Sequence, residues 1–443
     1  MALKALSYPS FPGEISPIAF VGMSMRVAGI VVFSIVFWAL SAQAQDVDIK
    51  GAQPLISATA TQDFRFTSWS GTRGSNIFAP QSGKGSQIYV PSLAGLVVEW
   101  PEAKWEAAAK TGYVWSSHRT PGQEASYNGP VDNQASLLVT LGTSYLRPVL
   151  GVAVNIPTGE SVLSGQRRLT RMDPDLVELG TYGEGFNITP SLGVTFAPTA
   201  NFIVTPSIGY SWRGEFDRES FVPATGLFTG RHTIDPGDVL TASVSATAKV
   251  GTWIIQGSAG YTAESEVYRD GVAIGKKGDG AIANVAALYP VSDKVNVLLN
   301  GSWGYFAKND VPGSNGLVTE LRNSNSHVFI GAIQPTYDLT DRLRIGFNYS
   351  FLYRNNNYYD TFQELYVPAR VKHSVGPVLD YVIAPNATLS LAASRFWVVQ
   401  DTGPNLVTQE IGVGLNPVIN RASLPPELHF SGWSISASAK VQF

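Results

Sequence analysis

The sequence predicts an all-β fold: a transmembrane antiparallel up-and-down β-barrel of about sixteen strands, with short turns on one rim and long loops on the other. Three observations predict it. Apolar and polar residues alternate with period two along most of the chain. No segment after the N-terminal region is apolar enough for a spanning helix. Aromatic residues recur eight positions apart on the apolar face. The first implies strands wet on one side only. The second implies that any crossing of a membrane is made by strands, and the third gives those strands a length.

The N-terminus reads as a leader. Arg26 precedes the apolar run VAGIVVFSIVFWAL at 27–40, and Ala42-Gln43-Ala44 follows it. A positive flank, a short apolar run and a small-residue cleavage site are the parts of a secretory signal. A spanning helix needs about 20 apolar residues, more than this run supplies. We therefore expect 1–44 to be a cleaved signal peptide, 45–57 a periplasmic lead-in and 58–443 the barrel. Met23 and Met25 are alternative starts, since the stretch before Arg26 is long for a signal. The chain has no Cys, which excludes thiol catalysis, disulfides and thiolate metal sites. Charged residues are 15% of the chain against roughly 25% in soluble domains, and the formal net charge of −3 points to no nucleic-acid partner.

Strand alternation is clearest in three runs. Phe186, Ile188, Pro190, Leu192, Val194 and Phe196 interleave with Asn187, Thr189, Ser191, Gly193 and Thr195. Phe202, Val204, Pro206, Ile208, Tyr210 and Trp212 face away from Thr205, Ser207, Gly209, Ser211 and Arg213. Leu343, Ile345, Phe347, Tyr349, Phe351 and Tyr353 do so from Arg342, Arg344, Asn348, Ser350 and Arg354. Tight connections at WPEAKW, YLRPV, FAPTANF, KVGTW, YPVSDKV, DLTDRL and IAPNATL alternate with long polar ones at 71–86, 117–133, 157–184, 214–237, 263–280, 307–326, 355–370 and 400–427. Short turns on one rim and long loops on the other are the asymmetry of a Gram-negative outer-membrane barrel. Fourteen strands result if the first two do not join.

Trp105 and Tyr113, Phe202 and Tyr210, and Trp253 and Tyr261 are each eight positions apart. Eight tilted residues rise roughly 20 Å along the membrane normal, which places the two members in two aromatic girdles. The chain closes on GWSISASAKVQF, whose Trp433 and Phe443 stand at the two ends of one apolar face. This face meets outer-membrane lipid, and the strand must pair with the first, because an open edge in hydrocarbon leaves backbone groups unsatisfied. Terminal Phe443 resembles the signal by which such barrels are handed to the barrel-assembly machinery. Pro190, Pro335 and Pro377 fall inside strands and suggest bulges. Arg395 is aimed at lipid by strict alternation, so a bulge or snorkelling to the headgroups is expected there.

The opposite face lines a lumen that is wide enough for water at about sixteen strands. Predicted pore-lining positions are Glu106, Lys110, Lys249, Asn296, Asn300, Arg342, Arg344, Asn348, Lys372, Asp380 and Lys440. A solvated inner wall with no binding role is the plainer reading of any one of them. The longest loop, PTGESVLSGQRRLTRMDPDLVELGTYGE, sets Arg167, Arg168 and Arg171 beside Asp173 and Asp175. Its plainer reading is an external loop with self-compensating charges. Folded inward, it would constrict the pore and set a transverse field.

NIPTGE, ELGTYGEGFNITPSLGVTF and the later DPGD resemble the outer-membrane transporters named for the meta-pathway of phenol degradation, over roughly Arg147 to the C-terminus. The resemblance, distantly shared with fatty-acid and aromatic-hydrocarbon channels, implies passage of small solutes, aromatic or hydrophobic compounds among them. No Asn-Pro-Ala hatch follows the signal and no PEFGG motif of trimeric porins occurs. Neither a plugged lateral exit nor trimerisation is therefore implied. A non-conducting surface barrel with loops as receptor or adhesin is the alternative. No enzyme is expected. The five His (His118, His232, His327, His373, His429) lie near long-loop ends. In Ser326–His327 and His373–Ser374, neighbours on one strand point to opposite faces. No cofactor or metal motif is found.

Overall fold

The computed structural model describes residues 55–72, 82–120, 122–142, 145–221, 228–359, 366–401, 408–409, 418–419 and 428–443. The expected signal peptide and most of the expected lead-in lie outside them. Sixteen strands close an antiparallel barrel. They are β1 (Leu55–Thr72), β2 (Ser82–Trp100), β3 (Ala103–Thr120), β4 (Asn133–Leu141), β5 (Leu146–Ile156), β6 (Asn187–Thr199), β7 (Phe202–Arg213) and β8 (Val239–Val250). The second half comprises β9 (Trp253–Glu264), β10 (Gly280–Pro290), β11 (Val295–Phe306), β12 (Val328–Asp338), β13 (Leu343–Arg354), β14 (Arg370–Ala384), β15 (Ala387–Gln400) and β16 (Leu428–Gln442). The first strand begins at Leu55, three residues before the expected boundary of 58.

Each strand pairs with its sequence neighbour, and β16 pairs with β1 from Thr59↔Gln442 to Thr72↔His429. Ala58 and Phe443 then exchange two backbone hydrogen bonds, of 3.1 and 2.8 Å, at the end of this seam. A seventeenth strand, Gln123–Pro130, folds back on the upper half of β3 and continues through Val131 and Asp132 into β4.

Register fixes which side chains face out. Exposed large hydrophobics recur on one parity of each strand: Phe64 on β1, Leu96 on β2, Trp105, Tyr113 and Trp115 on β3, Ile208 and Tyr210 on β7, Phe347 and Phe351 on β13. Trp433 and Phe443 stand on that same outer face of the closing strand. Hydrocarbon is the only solvent in which such a surface is favourable. The other parity carries Ser, Thr, Asn, Gly and most of the charged residues of the strands, and encloses the lumen.

The prolines give ladder gaps rather than bulges, correcting the expectation. Across β6 and β7 the pairs Ile188↔Trp212 and Ser191↔Gly209 keep one register, yet no pair forms at Pro190. The same holds at Pro335 between Ile333↔Tyr349 and Thr336↔Gly346, and at Pro377 between Val375↔Arg395 and Val378↔Ala392. An outward-facing Pro deletes a rung without adding a residue. Beside Pro377 the walls touch so closely that a Cβ on Gly376 would lie 1.7 Å from the Ala393 carbonyl oxygen. Arg395 stays in register on the outer face. It hydrogen-bonds Ser431 Oγ at 2.9 Å, and its guanidinium lies 5.4 Å from the Trp433 ring and 6.0 Å from that of Trp397.

Pro91 on β2 opens a similar gap opposite Asp63. Here the outward-facing Gln62 bridges it: Nε2 donates to the carbonyls of Pro91 (3.1 Å) and Asp63 (3.3 Å). Ser92 Oγ holds its Oε1 at 2.7 Å. The amide replaces the N–H that proline lacks, which accounts for a glutamine on the lipid side.

Above the long-loop rim, three hairpins join into a six-stranded sheet. They are Phe216–Phe221 with Phe228–Asp235, Glu266–Arg269 with Val272–Lys276, and Asp310–Gly313 with Gly316–Thr319. The second turns on Asp270-Gly271, both at positive φ (52° and 77°), the two-residue turn that suits hairpin twist.

Leucine on a lipid face ordinarily stabilises, so Gln62→Leu separates two effects. We expect it to destabilise the barrel by about 1–3 kcal/mol, the cost of buried carbonyls left without donors. Pro91→Ala should recover most of that loss by restoring the N–H. Urea unfolding in micelles measures both.

Candidate functional site

The segment between β5 and β6, residues 157–186, is folded into the lumen rather than out into solvent. Its neck is held by Asp132, at the break where Gln123–Pro130 passes into β4. One carboxylate oxygen accepts from Gly159 N at 2.9 Å, and the other from Glu184 N at 2.8 Å and Asn155 Nδ2 at 2.9 Å. Two chain positions 25 residues apart are thereby tied to one side chain. Burial pushes the Asp132 pKa up, although these donors oppose the shift.

Two apolar contacts seat the segment on the inner wall. Leu163 is fully buried among Tyr89, Val114, Tyr127, Val131 and Tyr182, with Tyr127 and Tyr182 stacked at 4.1 Å. Met172, Leu176 and Val177 pack on Trp69, Phe396 and Val398 of β1 and β15, with Phe430 of β16 alongside. Each such side chain removed from water contributes about 1.5–3 kcal/mol. Between the two seats the Gln87 amide of β2 makes two 2.8 Å bonds to the Leu179 backbone, donating to its carbonyl and accepting from its N–H.

The charges of the segment are taken up by the wall and the rim. Asp173 and Asp175 both accept from Arg370 Nη1 of β14, at 2.5 and 2.6 Å. Arg354 of β13 lies 3.9 Å from Asp175. Lys372 donates to the Asp175 carbonyl at 2.5 Å and sits 4.7 Å from the Phe396 ring. Glu178 pairs with Arg65 of β1, which also bonds Asp63 at 2.9 Å. Arg171 bonds Glu219 of the first rim hairpin at 2.7 and 3.0 Å, while Arg167 pairs with Glu160 and lies 5.3 Å from the Tyr127 ring. Arg167 and Arg168 share the short 3-10 helix Gly165–Thr170. Basic and acidic residues do not face each other across an open gap, so the geometry is that of an anchored insert rather than a transverse field. Burial alone would raise the Asp173 pKa, but neighbouring Arg370 overrides it and the value falls below the ordinary 3.8.

The expected wall positions distribute as follows. Glu106 is inward and buried, 3.1 Å from Lys104. Lys110 is inward, 6.0 Å from the Tyr89 ring. Asn296 and Asn300 of β11 and Asn348 of β13 take inward register positions beside Thr336, Ala332 and Gly376. Arg344 is inward and bonded to Asp338 at 2.6 Å, and Asp380 accepts from Ser390 Oγ at 2.6 Å. Lys249 and Lys440 are inward and exposed near the short-turn rim. Arg342 lies in the exposed turn leading into β13, where its carbonyl accepts from Val382 N at 2.8 Å. Sequence reasoning missed Asp132, Gln87, Arg354 and Arg370. Arg354 and Arg370 are a cross-strand pair of like charges, a signal that acids must approach from elsewhere.

The β6–β10 wall is lined by hydroxyls and amides that bond one another. Thr189 and Ser211 lie 2.9 Å apart, Thr195 and Thr205 3.0 Å, Ser207 and Ser243 2.7 Å, and Asn284 donates to Ser258 at 3.2 Å. The packing seats and the arginine latch fall on β1–β3, Gln123–Pro130 and β13–β16, while the neck is held by Asp132 and by Asn155 of β5, and Arg171 reaches Glu219 of the rim hairpin. His327 and His373 belong to the outer aromatic girdle: Trp303 Nε1 donates to His327 at 3.2 Å, and Tyr349 OH lies 2.9 Å from His373.

With its Asp173 pKa lowered, the latch contributes stability above about pH 3.8 and loses it as pH falls through the still lower folded value. Bilayer conductance should therefore be flat from about pH 8 to about pH 5 and rise only in stronger acid. Arg370→Ala should raise it at neutral pH, because breaking a buried pair costs about 3–5 kcal/mol.

No family model matches the chain, and no curated protein matches it. Among solved structures it is similar to the Pseudomonas putida toluene transporter TodX, at 11% identity over 88% of this chain and 90% of that one, with a TM-score of 0.36. A Pseudomonas aeruginosa FadL homologue shares 10% identity over 87% and 90%, at 0.39. A loop-deleted OmpT, an outer membrane protein of Vibrio cholerae, shares 10% over 88% and 100%, also at 0.39. Similarity at this level assigns no function to the chain.

Proposed function

We propose that the chain is an outer-membrane channel through which small solutes, aromatic and hydrophobic compounds among them, pass by passive diffusion. The observation that supports this most is the division of the lumen. An insert is fastened to one sector of the wall, and the opposite sector is a continuous row of neutral hydroxyls and amides. Water wets such a row, and the hydroxyls already bonded to one another hold a passing solute only weakly. The inner wall positions Lys249, Arg344, Asn348, Asp380 and Lys440 border the short-turn mouth of this path. Insert contacts at Arg167, Arg168, Arg171, Asp173 and Asp175 constrict the path by occupying volume. Terminal Phe443 is read as the signal to the assembly machinery because it ends an amphipathic strand on its apolar face.

A second reading, a barrel that anchors a receptor or adhesin, draws support from the six-stranded sheet above the rim. Liposome swelling separates the two. Vesicles carrying the refolded protein should swell in isotonic sugars, amino acids and phenolics, faster with Arg370→Ala. A sealed barrel, with no swelling in any solute and no steady current, sinks the channel reading.

A further inference from the structure

The outer face at the long-loop rim is not uniform around the barrel. On β3, β2, β1, β16 and β15 the last apolar row is Trp115, Ile88, Phe66, Ile435 and Ala393, in register. The row above it is Ser117, Ser86, Ser68, Trp433 and Arg395, and the next is Arg119, Lys84, Ser70, Ser431 and Trp397. Over two rows the surface changes from hydrocarbon-like to hydroxyls and cations. Ser86 and Ser117 lie 2.8 Å apart, and Arg395 bridges to Ser431 between two tryptophan rings. A groove of about 810 Å³ opens over this rim, lined by Ser70, Lys84, Arg119, Trp397, His429 and Ser431 of the outer face and by Gly71, Val398 and Phe430 of the inner. Among the described residues the acids of the sector are Glu124, which accepts from Arg119 at 2.5 and 2.6 Å, and Asp401, just beyond the end of β15.

At the same height on the far side of the barrel the outer face is acidic. Tyr210 donates to Asp238 at 2.8 Å and Tyr261 to Asp279 at 2.5 Å. Depth alone therefore does not account for the basic sector. Tryptophan and tyrosine occur all round a girdle, but Lys84, Arg119 and Arg395 are gathered on one side, above apolar rows long enough to seat acyl chains.

We propose that this sector binds a phosphate-bearing glycolipid of the outer leaflet. Its acyl chains would lie along the Trp115–Ile435 rows and its phosphates against Lys84, Arg395 and the serine hydroxyls. Arg119 would be shared between phosphate and Glu124. Charge complementarity selects the headgroup, since a cation near a membrane surface contributes about 1 kcal/mol with an anionic lipid. The binding rests on the orientation of the barrel and not on whether its lumen conducts.

Native mass spectrometry of the refolded full barrel in neutral micelles tests this with three probes: diphosphorylated lipid A, the same lipid with its phosphates removed, and inorganic phosphate. We expect retention of the first, about tenfold weaker retention of the second, and no displacement by millimolar inorganic phosphate. Lys84→Gln with Arg395→Gln should cost about tenfold or more, whereas Lys294→Gln on the opposite rim should cost nothing. If the double variant fails the heat-shift test of folding, Lys84→Gln alone decides, since that side chain is exposed. Equal retention of both lipids, displacement by free phosphate, or full affinity in the folded variant overturns the proposal.

Discussion

Everything in this molecule depends on the seam between β1 and β16. In hydrocarbon no water can satisfy a bare edge, and each unpaired backbone group costs several kcal/mol. The seam runs from His429 to Gln442 along β16 without a missing rung and ends in the Ala58–Phe443 exchange. Its continuity contrasts with the gaps at Pro91, Pro190, Pro335 and Pro377. Interior pairs tolerate a lost rung because their neighbours hold the register on both sides. Where a gap falls next to the seam, at Pro91, the chain repairs it with the Gln62 amide.

Closure creates an inside, and the insert depends on it in turn. Its anchors on β1, β2, β14 and β15 converge only because the sheet curves back on itself. A flat sheet would spread Trp69, Gln87, Arg370 and Phe396 beyond the reach of one 30-residue segment. The buried acids make no net contribution without Arg370, since a carboxylate taken out of water is costly unless paired.

Architecture was legible in the sequence because period-two patterning and girdle spacing are local. Turn and loop alternation gave the strand count, and parity separated the two faces of each strand. The direction taken by 157–186 was not legible. Its charges balance internally whether it lies in solvent or in the lumen, so composition favours neither. What decides is long-range: Leu163 meets Tyr89 and Val114, and Asp173 meets Arg370, across sequence distances that no pattern reports. The prolines mislead for a related reason. A bulge and a deleted rung leave the same residue in the sequence, and only register tells them apart.

The bond between Asp173 and Arg370 spans 197 residues, which sets an order of events during biogenesis. The insert is drawn from the middle of the chain, while β14 to β16 come from its end. The first seat, Leu163 against β2 and β3, is available as soon as the N-terminal half has curled. The arginine latch can engage only when the last strands arrive to complete the cylinder. A partly assembled barrel consequently holds its insert by the contacts to its first strands alone, and the final zippering both seals the wall and fastens the obstruction within it.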